Sequence, residues 1–453
     1  MFPSKLGWGL AIVLSLAPST PAQAPGRSDP SFAQPSLAPG VDYTLPTEQE
    51  VKATLDRLRD HFIRSTPYAI IDTATGQPIT DFTTPTKTAG PDLRPGQFND
   101  WDYPMGVVLA AMLHITDVTG DSSYQAYTLK NFDFIFDHQD YFQRQAKMFG
   151  AQSYGYRRLL EFRELDDCGA IGAALIKAWM KKPDPRYRAT IDRIAEHIAH
   201  KQMRLADGTL ARPRPRPISL WSDDMYMSVP FLAQMGVLTK AHSWFDDAAR
   251  QIIQVSARLQ DPRTGLYDHR WYEDTPNNPH FYWGRGGAWV VMATAELLSV
   301  LPADHSDRPK LLEIFQRAVQ GVASVQSGSG MWHQLLDKND SYLETSASAA
   351  FTFAIARGVN RGWLSPALAP VAQTGWQAVA KRVRPDGQIE GICVSTTAAY
   401  DAVYYYNRPT DLKAMQGYGP VLMAGAEVIQ MLRSFEITRS LNTFHYRAKG
   451  VQK

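Results

Sequence analysis

Two pairs of adjacent acids, Asp166-Asp167 and Asp223-Asp224, are the residues in this sequence best suited to carry chemistry. Trp221 stands two residues before Asp223. Glycosidic chemistry calls for two carboxyl groups, one protonated and one ionised. In each pair one acid is expected to cap a helix and the other to face a cleft, and spacing alone does not choose between them. Burial beside Trp221, with a second carboxylate near, predicts a raised pKa for Asp223. His269 lies in Gly265-Leu-Tyr-Asp-His-Arg-Trp and His333 in Met331-Trp-His-Gln. Either histidine serves as well for packing as for a site. Arg285 sits between Gly284 and Gly286. Its flat fork matches a carboxylate ligand, and an ion pair with a neighbouring acid is the plainer alternative.

These residues need helices to hold them. After the first forty or so residues the chain keeps returning to helical periodicity, with twelve candidate segments and no convincing set of alternating strands. Six segments are apolar nearly all round, starting near Trp101, Leu165, Trp221, Arg285, Glu344 and Gly417. Such helices have to be buried on every side. The others, such as Pro185 to Met203, carry one charged face. A buried helix paired with a surface helix about every 60 residues predicts a closed array, an all-α (α/α)6 barrel. Each buried segment is introduced by a polar and aromatic cluster: Asn99-Asp-Trp-Asp-Tyr-Pro, Glu164-Leu-Asp-Asp, Trp221-Ser-Asp-Asp, Trp283-Gly-Arg, Tyr342-Leu-Glu-Thr-Ser and Gln416-Gly-Tyr-Gly-Pro. Parallel inner helices would gather all six at one mouth, where free N–H groups suit an anionic ligand. Trp101, Trp221 and Tyr226 are the aromatic surfaces expected there.

Bulk properties narrow the classes. The chain has 453 residues, 44% hydrophobic and 20% charged, as in an ordinary globular protein. A net charge of +2 gives no general pull toward nucleic acid or anionic membranes. Eleven Trp and 20 Tyr offer flat amphipathic surface of the kind carbohydrate clefts use, as well as core material. Lys5 and the apolar run Leu6 to Ala17 are too short to span a bilayer and read as an export signal, cleaved near residues 22–24. Residues 1–24 are therefore assigned to that signal, 25–44 to a flexible linker, 45–440 to the barrel and 441–453 to a tail. The expected location is periplasmic or extracellular. Cys168 and Cys393 are too few for a disulfide scaffold, and the sequence does not show whether they pair. There is no closely spaced His pair, Cys cluster or phosphate loop, so no metal or cofactor is expected, nor an obligate protein partner.

The segments Trp221-Ser-Asp-Asp-Met-Tyr-Met-Ser-Val-Pro-Phe-Leu, Gly265-Leu-Tyr-Asp-His, Trp283-Gly-Arg-Gly-Gly-Ala-Trp and Tyr342-Leu-Glu-Thr-Ser-Ala-Ser, in this order, resemble the unsaturated rhamnogalacturonyl hydrolases of glycoside hydrolase family 105. The unsaturated glucuronyl hydrolases of family 88 are their relatives. The resemblance runs from about Trp101 to about Glu436. It implies hydration of the C4=C5 double bond that a polysaccharide lyase leaves on a terminal uronate, followed by release of the aglycone. By the same resemblance Asp223 is the acid/base, the second aspartate falls on Asp166-Asp167 with Asp167 preferred, His269 lies near the uronate, and Arg285 and Trp289 line the site. The stretch from Leu205 to Leu220, where Arg212, Arg214 and Arg216 alternate with prolines, matches nothing in the family. Two other readings keep the barrel: a polysaccharide lyase or sugar epimerase, and a carbohydrate-binding protein without catalysis.

Overall fold

A computed structural model of the protein describes residues 44–450 except 95, 97, 152–155, 276–278, 441 and 442. The expected export signal, and the expected linker apart from Thr44, lie outside the described residues. Six helices form the inner ring: Tyr103–Thr119, Gly169–Lys181, Val229–Thr239, Gly284–Val300, Thr345–Asn360 and Tyr418–Ser434. Each packs on the next, and the sixth packs back on the first. Five outer helices follow their inner partners: Ser122–Asp137, Pro185–His200, His242–Leu259, Arg308–Ser324 and Ala369–Ala380. The sixth outer place is taken by the first helix of the chain, Glu48–Ser65, which packs on Tyr418–Ser434. The architecture is an (α/α)6 barrel.

Local sequence explains the two kinds of helix. Gly284–Val300 is buried without a break from Gly284 to Leu298. Pro185–His200 instead buries a stripe through Tyr187, Ile191, Ile194 and Ile198 and leaves its charged face to water. Asp184 caps it by accepting from Arg186 N, and Pro185 starts it where no N–H is missed. Thr47 and Glu50 form a reciprocal capping box on Glu48–Ser65.

Three details depart from the periodicity. The first outer helix breaks at His138 into Ser122–Asp137 and Gln139–Phe149, with His138 Nδ1 held 2.8 Å from Phe134 O. Two inner helices begin later than expected, after short 3-10 turns at Leu165–Asp167 and Ser222–Met225. Four two-stranded antiparallel pairs are also present among the described residues. One of them pairs Ser219–Trp221 with Arg270–Tyr272 at the barrel mouth. Another pairs Phe435–Ser440 with Thr443–Ala448, where a tail is expected from residue 441. Phe444 and Tyr446 alternate inward there, and Tyr446 donates to Gln373, which ties the strand to the barrel.

The end of the barrel away from the clusters is closed by a buried ion network. Arg357 Nε donates to Glu427 Oε1 at 2.7 Å and its Nη1 to Glu296. Lys177 Nζ reaches Glu296 Oε2 at 2.6 Å, and His114 Nε2 lies 2.9 Å from Glu427 Oε1. Five of the six inner helices are joined in this way. Burial works against charge on Glu296, but Lys177 and Arg357 outweigh it and hold its pKa at about 2. Glu427 is likewise held below the usual range, Arg357 and His114 overcoming burial. Groups with lowered folded pKa stabilise fully above the unfolded value of about 4.3, and that stability disappears as pH falls through the folded value. Urea unfolding should therefore show stability falling steeply from about pH 4.5 toward pH 2. Arg357→Met should lose about 3–5 kcal/mol at pH 7, because two buried carboxylates lose the arginine they share.

Candidate active site

The inner helices do place their first turns at one end. Trp101 Nε1 donates to Asp167 O at 2.9 Å, linking the first unit to the second. Ser222 N donates to His269 O at 2.9 Å, and Gly284 N to Gln334 O at 2.9 Å. Gln416 Nε2 reaches Tyr103 Oη at 3.3 Å, which closes the circuit.

Within this circuit the four candidate aspartates have different surroundings. Side-chain exposure is 16% for Asp223 and 21% for Asp166, against 1% for Asp224 and 3% for Asp167. Asp224 is gripped by Arg212, whose Nε lies 2.9 and 3.0 Å from its two oxygens and whose Nη2 lies 2.5 Å from Oδ1. Asp167 accepts from Arg157 Nη2 at 3.1 Å and from Arg163 N at 2.9 Å, and it pairs with Arg158. The sequence reading prefers Asp167 as the second site acid. The structure pins Asp167 among arginines and leaves Asp166 on the open side, held by Arg212 Nη2 at 2.8 Å.

Asp223 Oδ2 lies 3.1 Å from Nε2 of the fully buried His269. His269 is oriented through Nδ1, 2.7 Å from Tyr405 Oη, which in turn accepts from Ala399 N at 3.2 Å. The expected raised pKa of Asp223 is reversed in sign. Burial pushes it up, but His269, Arg212 and Arg285 outweigh burial and hold it below the usual carboxylate range. Asp166 goes the other way. Its burial, with Asp224, Glu164 and Asp223 around it, exceeds the pull of Arg212 and raises it to about 6. The open pair is thus one carboxyl poised to hold a proton beside one that stays ionised.

The other expected residues divide. Trp221 faces the site, its ring 4.6 Å from the Arg212 guanidinium, 5.5 Å from that of Arg214 and edge-on to His269. Trp289 and Tyr226 are buried with rings 5.1 Å apart, and Tyr103 packs edge-on against Trp289. Trp101 is fully buried against Phe132 and Phe136, a core residue and not a cleft surface. His333 Nδ1 lies 2.5 Å from Ser341 O, on a strand pair separate from the aspartates. Arg285 is committed to the protein itself. It donates to Cys393 O at 2.6 Å, Val394 O at 2.7 Å and Ser346 Oγ at 3.2 Å, with Glu344 3.8 Å away. This is closer to the plainer ion-pair alternative than to an open fork.

Several residues that the sequence analysis names only within clusters, or not at all, also shape the site. Glu344 is fully buried and accepts from Ala347 N at 2.6 Å and Cys393 N at 2.9 Å, so it caps its helix and anchors the 393–406 segment. That segment also supplies Tyr405, and its run Tyr404-Tyr405-Tyr406 is the signal that could have drawn notice. Asp100, Asp102, Ser395, Lys413 and Gln416 line a pocket of about 300 Å³ beside the aspartates. Asp102 is raised to about 8, mainly by burial and then by Asp100. Cys168 and Cys393 are free and buried. Among the described residues no three His, Cys, Asp or Glu side chains are grouped to hold a metal, and no helix is long and apolar enough to cross a membrane.

A family model for glycosyl hydrolase family 88 matches residues 70–432. The chain belongs to glycosyl hydrolase family 88. As a family 88 protein it is a glycoside hydrolase. It is 29% identical over 256 residues to an unsaturated rhamnogalacturonyl hydrolase of Bacillus subtilis, covering 55% of this chain and 72% of that one. An unsaturated 3S-rhamnoglycuronyl hydrolase of Alteromonas is 26% identical over 215 residues, covering 46% and 51%. A possible member of glycoside hydrolase family 105 from Salmonella enterica shares the fold with a TM-score of 0.66 at 22% identity, covering 90% of this chain and 99% of that chain. A Clostridium (C. acetobutylicum) family 105 structure aligns at 26% identity with a TM-score of 0.62, covering 73% and 94%.

The position of Arg285 in family 88's barrel gives a direct test. Arg285→Lys should lower stability by about 1–3 kcal/mol for each buried carbonyl left unpaired, seen as a drop in Tm without ligand. A variant with unchanged Tm and weakened oligosaccharide binding would return Arg285 to the ligand.

Proposed function

We propose that this chain is an exported hydrolase that removes the terminal 4,5-unsaturated uronate from lyase-generated oligosaccharides. The observation that carries this reading is the open Asp223–Asp166 pair at the barrel mouth, with the other two aspartates locked to arginines. The names of the relatives from Bacillus and Alteromonas support the substrate class. The apolar run from Leu6 to Ala17 behind Lys5 supports export.

The chemistry divides between the two carboxyl groups more naturally than it rests on Asp223 alone. Hydration of a vinyl ether needs a proton at C4 and a water oxygen at C5. Asp166, raised to about 6, is suited to give the proton. Asp223, ionised beside His269, is suited to take one from the water as its oxygen bonds to C5. The product is a hemiketal that opens to a keto acid and frees the aglycone. One proton leaves Asp166 and one arrives on Asp223, so the pair resets by exchange with solvent.

The test is loss of the double-bond ultraviolet absorbance on lyase-treated pectin, ulvan and glycosaminoglycan fragments. Absorbance should fall; a lyase would raise it and a binding protein would leave it unchanged. The kcat/KM profile should be bell-shaped, falling above about pH 6 as Asp166 ionises and below the ordinary aspartate range as Asp223 protonates. Asp223→Asn and Asp166→Asn should each lose on the order of 10²- to 10⁴-fold in rate while remaining folded. If Asp166→Asn kept the wild-type rate and alkaline limb, Asp223 would be doing both proton transfers.

A further inference from the structure

The stretch of alternating arginine and proline, Arg212 to Arg216, has no counterpart in the family resemblance, yet its first arginine stands at the centre of the site. Arg212 is almost fully buried. Its backbone is tied to Ser219 in both directions, N to O at 2.8 Å and O from N at 3.0 Å. Its position therefore follows the strand that carries Trp221. Every nitrogen of the guanidinium has a carboxylate. Nε and Nη2 hold Asp224, Nη2 also reaches Asp166 Oδ2 at 2.8 Å, and Nη1 reaches Glu164 Oε2 at 3.1 Å. The Trp221 ring covers one face at 4.6 Å.

We propose that Arg212 is a positioning residue for the hydration: one guanidinium ties the turn carrying Asp166 to the turn carrying Asp223 and sets the distance between the two carboxyl groups. The inference rests on the assignment of Asp166 and Asp223 above. Arg212 is too buried to meet substrate, so it acts through the acids it holds. Asp224 is the handle on one turn, adjacent to Asp223 in Ser222–Met225. Asp166 is both the handle and the reacting group on the other, Leu165–Asp167. The flat fork suits this task because two donors on one edge hold two carboxylates at once, which an ammonium cannot do in fixed geometry.

The same contact has an electrostatic consequence. The charged groups around Asp166 are Arg212 and Arg158 on the positive side and Asp224, Glu164, Asp223 and Asp102 on the negative side. Removing Arg212 leaves the acids in excess and should make Asp166 hold its proton to higher pH. Removing the charge of Asp224 should do the reverse. A purely structural salt bridge predicts no such opposite pair of shifts.

The experiment is the pH dependence of kcat/KM, read as loss of double-bond absorbance, for Arg212→Met, Arg212→Lys and Asp224→Asn, with Tm measured on each. In Arg212→Met the alkaline limb should move up by about one pH unit or more, the size of effect one arginine has on an adjacent aspartate. Its rate at the optimum should fall roughly 10²-fold, as for reacting groups misplaced by about 1 Å. Arg212→Lys should restore most of the limb, since the charge returns, but little of the rate, since the fork does not. Asp224→Asn should move the limb down, and it serves as the deciding variant if Arg212→Met does not fold. A limb that stays put in Arg212→Met and Asp224→Asn, with only Tm lowered, overturns the proposal. Asp166→Asn is run alongside: if it abolishes the limb while the Arg212 and Asp224 variants leave it fixed, only the role of Arg212 fails. If Asp166→Asn itself keeps the wild-type limb, the assignment of Asp166 fails first.

Discussion

A methyl group added at Gly169 would sit 1.6 Å from the carbonyl oxygen of Met227, and one added at Gly106 would sit 2.3 Å from the backbone nitrogen of Ile171. These glycines lie in the first turns of two neighbouring inner helices, and at each the backbone of one unit lies directly on the next. At Gly419, where the sixth inner helix meets the first, an added methyl would strike the Val107 side chain at 2.5 Å. No side chain fits between backbones this close, so these inner helices meet backbone to backbone where they begin. Groups from distant parts of the chain reach one another there across single hydrogen bonds, as Trp101 does with Asp167. A methyl at Gly169 or Gly106 would force neighbouring helices apart beside the candidate acids.

Gathering six helix N-termini in one place creates a positive end that attracts acids, and the mouth has many. Most are neutralised by a permanent cation. Arg158 faces Asp100, Asp102 and Asp167, while Arg212 faces Glu164, Asp166 and Asp224. Asp223 differs. Among the described residues its ion-pair partner is the imidazole of His269. Asp166 shares Arg212 with two other acids and keeps a raised pKa, while His269, Arg212 and Arg285 together hold Asp223 below the usual range, so the open pair divides into a proton holder and an ionised acid. Tyr405, from a segment far along the chain, holds His269 in the orientation that meets Asp223.

The parts that were legible in the sequence are those governed by one-dimensional rules. A helix apolar on all sides must be buried, so the inner ring and its period of about 60 residues could be read directly. The clusters before each inner helix could be read for the same reason. Choosing between adjacent acids could not, because the choice depends on where arginines from other segments arrive. Asp167 is pinned by Arg157 and Arg158, ten and nine residues earlier, and no periodicity announces that contact. The sign of the Asp223 shift failed similarly: burial was foreseeable, but not that His269, just ahead of a paired strand, would with Arg212 and Arg285 outweigh it. Arg285 looked like a free fork because its real acceptors are backbone carbonyls of Cys393 and Val394, which carry no mark in a sequence.

The two ends of the barrel differ in how they are connected, and this decides where substrate choice can reside. Between an inner helix and the outer helix that follows, the links are brief, as from Thr119 to Ser122 or from Thr239 to His242. Between an outer helix and the next inner one they are long, as from His200 to Val229 or from Ala380 to Tyr418. Short links fall at the end closed by Arg357, Glu296 and Glu427, where buried charges tie five helices and any change leaves an ion unpaired. Long links fall at the mouth, where they bring in Arg212, His269 and Tyr405. Stability is thus concentrated at one end and chemistry at the other, with the apolar ring between them. Under that division the mouth segments can change length and composition without disturbing the packing that sets the ring. A stretch such as Arg212 to Arg216 can then enter the site without altering that packing.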